Sequence, residues 1–247
     1  MILYDTPYDE AARIMLQEYE KVKYQINKTG KEAWKALKKE KNAFKKINVI
    51  NFTLPESKNT YTICSKPGNS PDEILRHVYL KVNGNDRKKK IFYLGQNHKK
   101  DYETNEWVLQ VYTGHFMSRF RERSGFDNIG SDELMMVFLE TTGKKGLPIP
   151  ARLVNPAVDD EDQFGIICEQ GLIFSKIQEI IINGINVQIN ENRTFVGKED
   201  LFFKQAMTLL STDYIEKRIR LDMAKKEGAS PEKLLEIIQS GFFEPTP

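Results

Sequence analysis

Histidine and cysteine are scarce in this chain, and the commonest catalytic signatures are missing altogether. Three histidines (His77, His98 and His115) and two cysteines (Cys64 and Cys168) are spread over 247 residues. The cysteines lie far apart and have no metal-ligand spacing around them. They fit neither a disulfide framework nor a metal site, and both are expected as reduced core residues. His77 and His98 belong to no recognisable triad or metal spacing. There is no GxxxxGK[ST] loop, no GxGxxG after a strand, no HExxH and no GxSxG. Nucleotide hydrolysis, nicotinamide redox chemistry and zinc proteolysis therefore lose their usual warrants.

Long apolar runs are missing too. No stretch approaches the roughly 20 apolar residues of a membrane span. Met1 to Glu10 is acidic and polar, with no basic start and no apolar run, so a cytoplasmic protein without membrane contact is expected. Charge of one sign is also lacking: 37 basic against 35 acidic side chains leave a net charge of +2. Binding to nucleic acid through overall charge normally needs a larger excess, so any basic surface must be local. The acidic run Asp159-Asp160-Glu161-Asp162 lacks the ligand and glycine spacing of a calcium loop. No metal and no cofactor is expected.

What is present is an ordinary globular composition, with 40% hydrophobic and 29% charged residues. Ala12, Ile14, Met15, Tyr19, Val22 and Ile26 recur at helical spacing and predict a helix from about Tyr8, broken at Gly30 and followed by a second helix to Lys46. The period then changes to two. Val49 to Leu54, Thr60 to Cys64, Ile74 to Val82, Ile91 to Leu94 and Trp107 to Tyr112 read as strands, with Asn83-Gly84-Asn85-Asp86 turning a hairpin. Phe116 to Arg123 and Ser131 to Glu140 read as helices, with Ser131 as an N-cap.

Further strands are expected at Ala151 to Asn155, Phe164 to Glu169, Leu172 to Ile182, Ile185 to Ile189 and Thr194 to Val196. Asn183-Gly184 is the best hairpin turn in the chain, and Asn190 to Asn192 reads as another tight turn. The remainder, Glu199 to about Lys226 and Ser230 to Ile238, is expected to be helical. Strands in two blocks, rather than alternating with helices, argue for an α+β fold: antiparallel sheet with helices packed on one face and helical N- and C-terminal segments. A boundary near Gln96 to Asn105 would give domains at 1–100 and 101–247; one continuous domain is the other arrangement.

The densest chemistry lies in Thr113 to Arg123. At 100° per residue, His115, Arg119 and Glu122 fall within about 60° of one another on a helix, while Phe116, Met117 and Phe120 take the adjoining face. An imidazole can move a proton near neutral pH, and a guanidinium can stabilise a developing phosphorane. RNA supplies its own 2′-hydroxyl nucleophile, so such a set would suffice for metal-independent cleavage. Ion pairs three or four residues apart are also ordinary on a helix surface. A second candidate is the Asn190 to Val196 segment, where Arg193 and Thr194 would complete a phosphate site together with Arg123. Two basic runs, Lys38 to Lys46 and Arg87-Lys88-Lys89-Lys90, are read as phosphate contacts or as solvated surface.

The order of these elements resembles that of small RelE-like and BrnT-like toxin ribonucleases. His115-Phe116-Met117-Ser118-Arg119-Phe120-Arg121-Glu122-Arg123 is similar to the His-Ala-x-x-Arg-x-x-x-Arg helix of that group, and a late Arg193-Thr194-Phe195 strand follows a meander. The resemblance covers Trp107 to Val196, about a third of the chain. It implies an RNA-cleaving fold in which basic residues and a histidine line a sheet. Phe116 replaces the small residue of the pattern, and about a hundred upstream residues have no counterpart in those compact toxins. The reading is a nucleic-acid-directed protein, an endoribonuclease with RNA as its partner. The alternative is a non-catalytic interaction protein of phage or mobile-element origin. It would bind a protein partner or itself through an apolar seam on the C-terminal helix (Leu209, Leu210, Ile215, Ile219).

Overall fold

The structure, a computed structural model, describes residues 1–38, 47–67, 74–85, 88–97, 106–141, 149–151, 163–168, 170–197, 200, 224 and 228–232. Apart from Asp200, Ala224 and residues 228–232, the expected C-terminal helices lie outside the described residues, as do the acidic run, His98 and the lysines at 39–46.

The elements are α1 (Tyr8–Lys38), β1 (Asn48–Thr53), β2 (Thr60–Pro67), β3 (Ile74–Asn83), β4 (Lys89–Asn97), β5 (Glu106–Thr113), α2 (Gly114–Arg123), α3 (Ser131–Thr141), β6 (Ile149–Pro150), β7 (Gln163–Cys168), β8 (Gly171–Ile182) and β9 (Ile185–Gly197). The nine strands form one sheet in the order β1-β2-β3-β4-β5-β9-β8-β7-β6. The class is α+β. The first five strands are an antiparallel meander and the last four another antiparallel block. The blocks meet through a parallel pairing of β5 with β9, Trp107 opposite Val187 through Tyr112 opposite Asn192. The sheet is therefore mixed rather than antiparallel throughout, and β4 and β5 pair across the Gln96 to Asn105 segment.

Helices cover both faces, not one. Side chains alternate across a strand, and here both parities are apolar, so both faces need cover. Tyr61, Leu80, Phe92, Leu109, Val111, Val187 and Ile189 pack with Ala11, Ala12, Met15 and Val22 of α1. Cys64, Tyr79, Tyr112, Ile173 and Phe195 point the other way, toward Phe116 and Phe120 of α2 and Met135 and Phe138 of α3.

Two local expectations are corrected. The helix α1 continues through Gly30, where a break was expected; a helical glycine costs about 1 kcal/mol, which its neighbours Lys31, Glu32 and Ala33, all good helix formers, help to offset. Asn190 to Asn192 is not a turn, and Thr194 to Val196 is no separate strand, because both lie inside the 13-residue β9. The register shifts there, with Ser175 opposite Asn192 but Phe174 opposite Thr194. Arg193 is thus the extra residue of a β-bulge. The asparagines stay in the sheet because their amides are satisfied within it. Asn192, fully buried, accepts from Ser175 Oγ at 2.8 Å and donates from Nδ2 to Gln110 Oε1 at 3.0 Å and to the Val111 carbonyl at 3.3 Å.

Candidate functional site

α2 begins where β5 ends because Thr113 caps it: its Oγ1 accepts from the Phe116 amide at 3.1 Å. Phe116, Met117 and Phe120 are buried and seat the helix. The Phe138 ring meets Phe116 at 5.3 Å and Phe120 at 5.0 Å edge-on, and Phe195 meets Phe120 at 5.2 Å. Such pairs add about 0.5–1.5 kcal/mol each beyond the area they bury, so the rotation of α2 about its own axis is well determined. That rotation leaves His115, Ser118 and Glu122 exposed.

Arg119 is half-exposed, and its Nη1 lies 2.9 Å from Glu122 Oε2. His115, Arg119 and Glu122 therefore share the solvent face of one helix, as their spacing requires. A pair this exposed contributes only a few tenths of a kcal/mol, so Arg119 can exchange its carboxylate for another anion at little cost. The remaining arginines of α2 serve the fold. Arg121 Nη1 donates to the carbonyls of Ile129 at 2.6 Å and Phe126 at 3.3 Å, fastening the loop after the helix. Arg123 Nη1 donates to the Phe195 carbonyl at 2.7 Å, and its Nε pairs with Asp200 at 3.2 Å. It ties α2 to the end of β9.

Arg193 was expected beside this set and leaves from the other face of the sheet. Its Nε is 3.0 Å from Glu191 Oε2, and Glu191 Oε1 accepts from the Tyr8 hydroxyl of α1 at 2.8 Å. Thr194 follows the bulge, half-buried in β9 opposite Phe174. The expected joining of Arg193 and Thr194 to the α2 residues is thus not what the register produces. The bulge sets the direction of these side chains, and no spacing rule foretells it.

What Arg193 joins instead is a polar cluster that sequence reasoning missed. Lys90 stands over the rings of Tyr4 at 4.4 Å and Tyr8 at 4.8 Å and donates to the Tyr4 carbonyl at 2.8 Å. Burial holds its ammonium below the ordinary lysine value, against an upward pull from Glu191 and Asp5. Burial and the hydrogen bond to Glu191 push the Tyr8 phenol well up, so it remains a proton donor. Lys90 appeared in the sequence only as the end of a basic run, and period-two alternation was the signal that it turns inward.

Three further buried polar groups line the sheet. Glu18 of α1 accepts from Asn59 Nδ2 at 2.9 Å and from the Tyr61 hydroxyl at 2.5 Å. Tyr79 donates to Asp132 at 2.5 Å and lies 3.0 Å from Cys64 Sγ, whose thiol burial pushes up to about 11. His77, half-buried beside Tyr93, keeps Nδ1 without a hydrogen-bond partner, as does one oxygen of Glu140, whose other oxygen pairs with Lys66. Among the described residues no three His, Cys, Asp or Glu side chains are grouped to hold a metal ion, and no helix is long and apolar enough to cross a membrane.

No protein-family model, curated protein or solved structure matches the chain.

Proposed function

We propose that the protein is directed to RNA through the solvent face of α2, and that His115 there moves a proton in metal-independent cleavage. One observation carries the reading: an exposed imidazole stands on the same helix face as an exchangeable guanidinium, on a helix fixed by a buried aromatic cluster. An exposed imidazole next to substrate can take the 2′-hydroxyl proton or return one to the leaving 5′-oxygen. Arg119, released from Glu122, would bind the phosphate oxygens on which charge develops. Arg123 contributes by holding α2 on β9, and Arg193 lies outside this constellation.

The test is incubation of the purified protein with single-stranded and structured RNA in EDTA, beside the His115→Ala variant. His115 is exposed, so the variant is expected to fold as the wild type does. Cleavage by the wild type that vanishes in the variant supports the reading. Undiminished cleavage in the variant removes His115 from it. No cleavage and no retention of RNA by folded protein would sink it and leave partner binding through the 199–226 segment as the better account.

A further inference from the structure

The sheet treats its two edges differently. At one end lies β6, two residues long and closed by Pro150. So short a strand offers little backbone for pairing, and proline donates no hydrogen bond. At the other end lies β1, six residues without a charge, a proline or a glycine. Its register with β2 is unbroken from Asn48 opposite Ser65 to Thr53 opposite Thr60, so no bulge twists it away. Alternate residues of an edge strand turn their N–H and C=O groups outward. Among the described residues β2 is the one strand that pairs with β1, and its outer side is left without a strand.

The side chains of β1 fit a second copy of themselves. Phe52 lies opposite Tyr61 with the rings stacked at 5.6 Å, so Phe52 and, by alternation, Ile50 face α1. Val49, Asn51 and Thr53 face the other way and are exposed. Opposed residues of an antiparallel pair share a face, so a two-fold axis through the joined sheet must pass between one residue and its own copy. With the axis at Asn51, Ile50 meets Phe52 of the second copy on the α1 face, and Val49 meets Thr53 of the second copy on the opposite face. With the axis at Ile50, Phe52 and Val49 would both face asparagines. Charge matches along the strand as well. Lys45 and Lys46 precede β1 in the chain and Glu56 follows it, and antiparallel pairing sets the start of one β1 beside the end of the other. Glu56 is held by Lys21 in an exposed pair, which costs little to exchange.

We infer that two copies of the chain pair β1 to β1, antiparallel about a two-fold axis at Asn51, and so join their sheets edge to edge. The assembly closes at two, because the edges that remain are both β6. An axis through the sheet keeps each face on its own side. Both copies of α1 then lie on one face, and both copies of α2, each with its His115, on the other. The pairing does not depend on whether α2 acts on RNA.

The experiment is sedimentation equilibrium of the full chain from about 1 to 200 μM, the range suited to a small interface. The wild type is compared with Asn51→Asp, Asn51→Lys and an equal mixture of the two. Asn51 is exposed, and its Oδ1 accepts from Thr62 Oγ1 at 2.8 Å, a bond that Asp retains. Either variant sets two like charges directly opposite each other at the axis, whereas the mixture sets opposite charges there. The expected result is a wild-type dimer, dissociation about tenfold easier in each variant alone, and recovery in the mixture. Ile181→Asp, at the exposed tip of the β8–β9 hairpin far from β1, should leave the dimer as it is. A wild type that stays monomeric throughout the range overturns the inference. So does a dimer that the Asn51 variants leave intact, or one that the mixture fails to restore. A dimer lost in Ile181→Asp instead would move the interface to the hairpin tip.

Discussion

At the scale of single residues, most charged groups among the described residues either have partners fixed by the fold or face water. His77 fits neither kind cleanly: it is half-buried, and its Nδ1 has no hydrogen-bond partner among the described residues. Burial holds its imidazole below the ordinary value, with Glu140 pulling it up and Lys66 pushing it down. The unfolded chain therefore binds a proton at this residue more readily than the folded one. Stability is complete above the unfolded pKa of about 6.5 and falls as the pH drops through it toward the lower folded value. Melting temperature should fall more between pH 7.5 and 5.5 for the wild type than for His77→Gln, which cannot titrate. Equal losses would show that the proton is taken up without cost. The exposure of His115 follows from helical spacing beside an apolar face and was legible in the sequence. The engagement of Arg121 and Arg123 with backbone carbonyls was not, because those partners lie in a loop and in a strand 72 residues away.

Among elements, the hairpins were the most legible part of the fold. Asn183-Gly184 turns β8 into β9 with both residues at positive φ, 51° and 78°, the conformation that an Asn-Gly pair supplies at least cost. The length of β9 was not legible, because Asn190 to Asn192 has the composition of a turn. Only the neighbouring strands β5 and β8, which satisfy the buried amides, make it a strand. Gly171, at the start of β8, shows the same dependence on neighbours. Its φ is 157°, and a Cβ would lie 2.1 Å from the Val196 carbonyl oxygen of β9. At Gly184 a Cβ would meet nothing within 4 Å. Gly184→Ala should therefore lose only the backbone preference, about 1 kcal/mol. Gly171→Ala adds a clash with backbone that cannot rotate away and should lose about 3 kcal/mol. Urea midpoints order the two, and the reverse order would mean that the β8–β9 ladder yields more easily than its register implies.

For the molecule as a whole, the decisive feature is the parallel joint between β5 and β9. No pattern in the sequence announces it, since pairing between strands about 80 residues apart leaves no local trace. It makes one sheet of two antiparallel blocks and carries the α1 core across the joint. Met15 and Val22 of α1, Leu80 and Phe92 of the meander, and Leu109, Val111, Val187 and Ile189 beyond it belong to one buried cluster. A fragment of residues 1–100, cut at the boundary that composition suggested, keeps α1 and β1 to β4 but loses the strands that complete this cluster. It would also expose β4 as a new edge, with unpaired backbone groups where β5 now pairs from Lys90 to Asn97. The fragment is therefore expected to show no cooperative unfolding transition by circular dichroism and to associate in solution. The intact chain should unfold with tryptophan fluorescence (Trp34 and Trp107) and far-ultraviolet dichroism changing together, because α1 and both strand blocks share that cluster. A monomeric fragment that melts cooperatively would show that the meander and α1 hold a sufficient core of their own, and that the parallel joint connects two units instead of completing one.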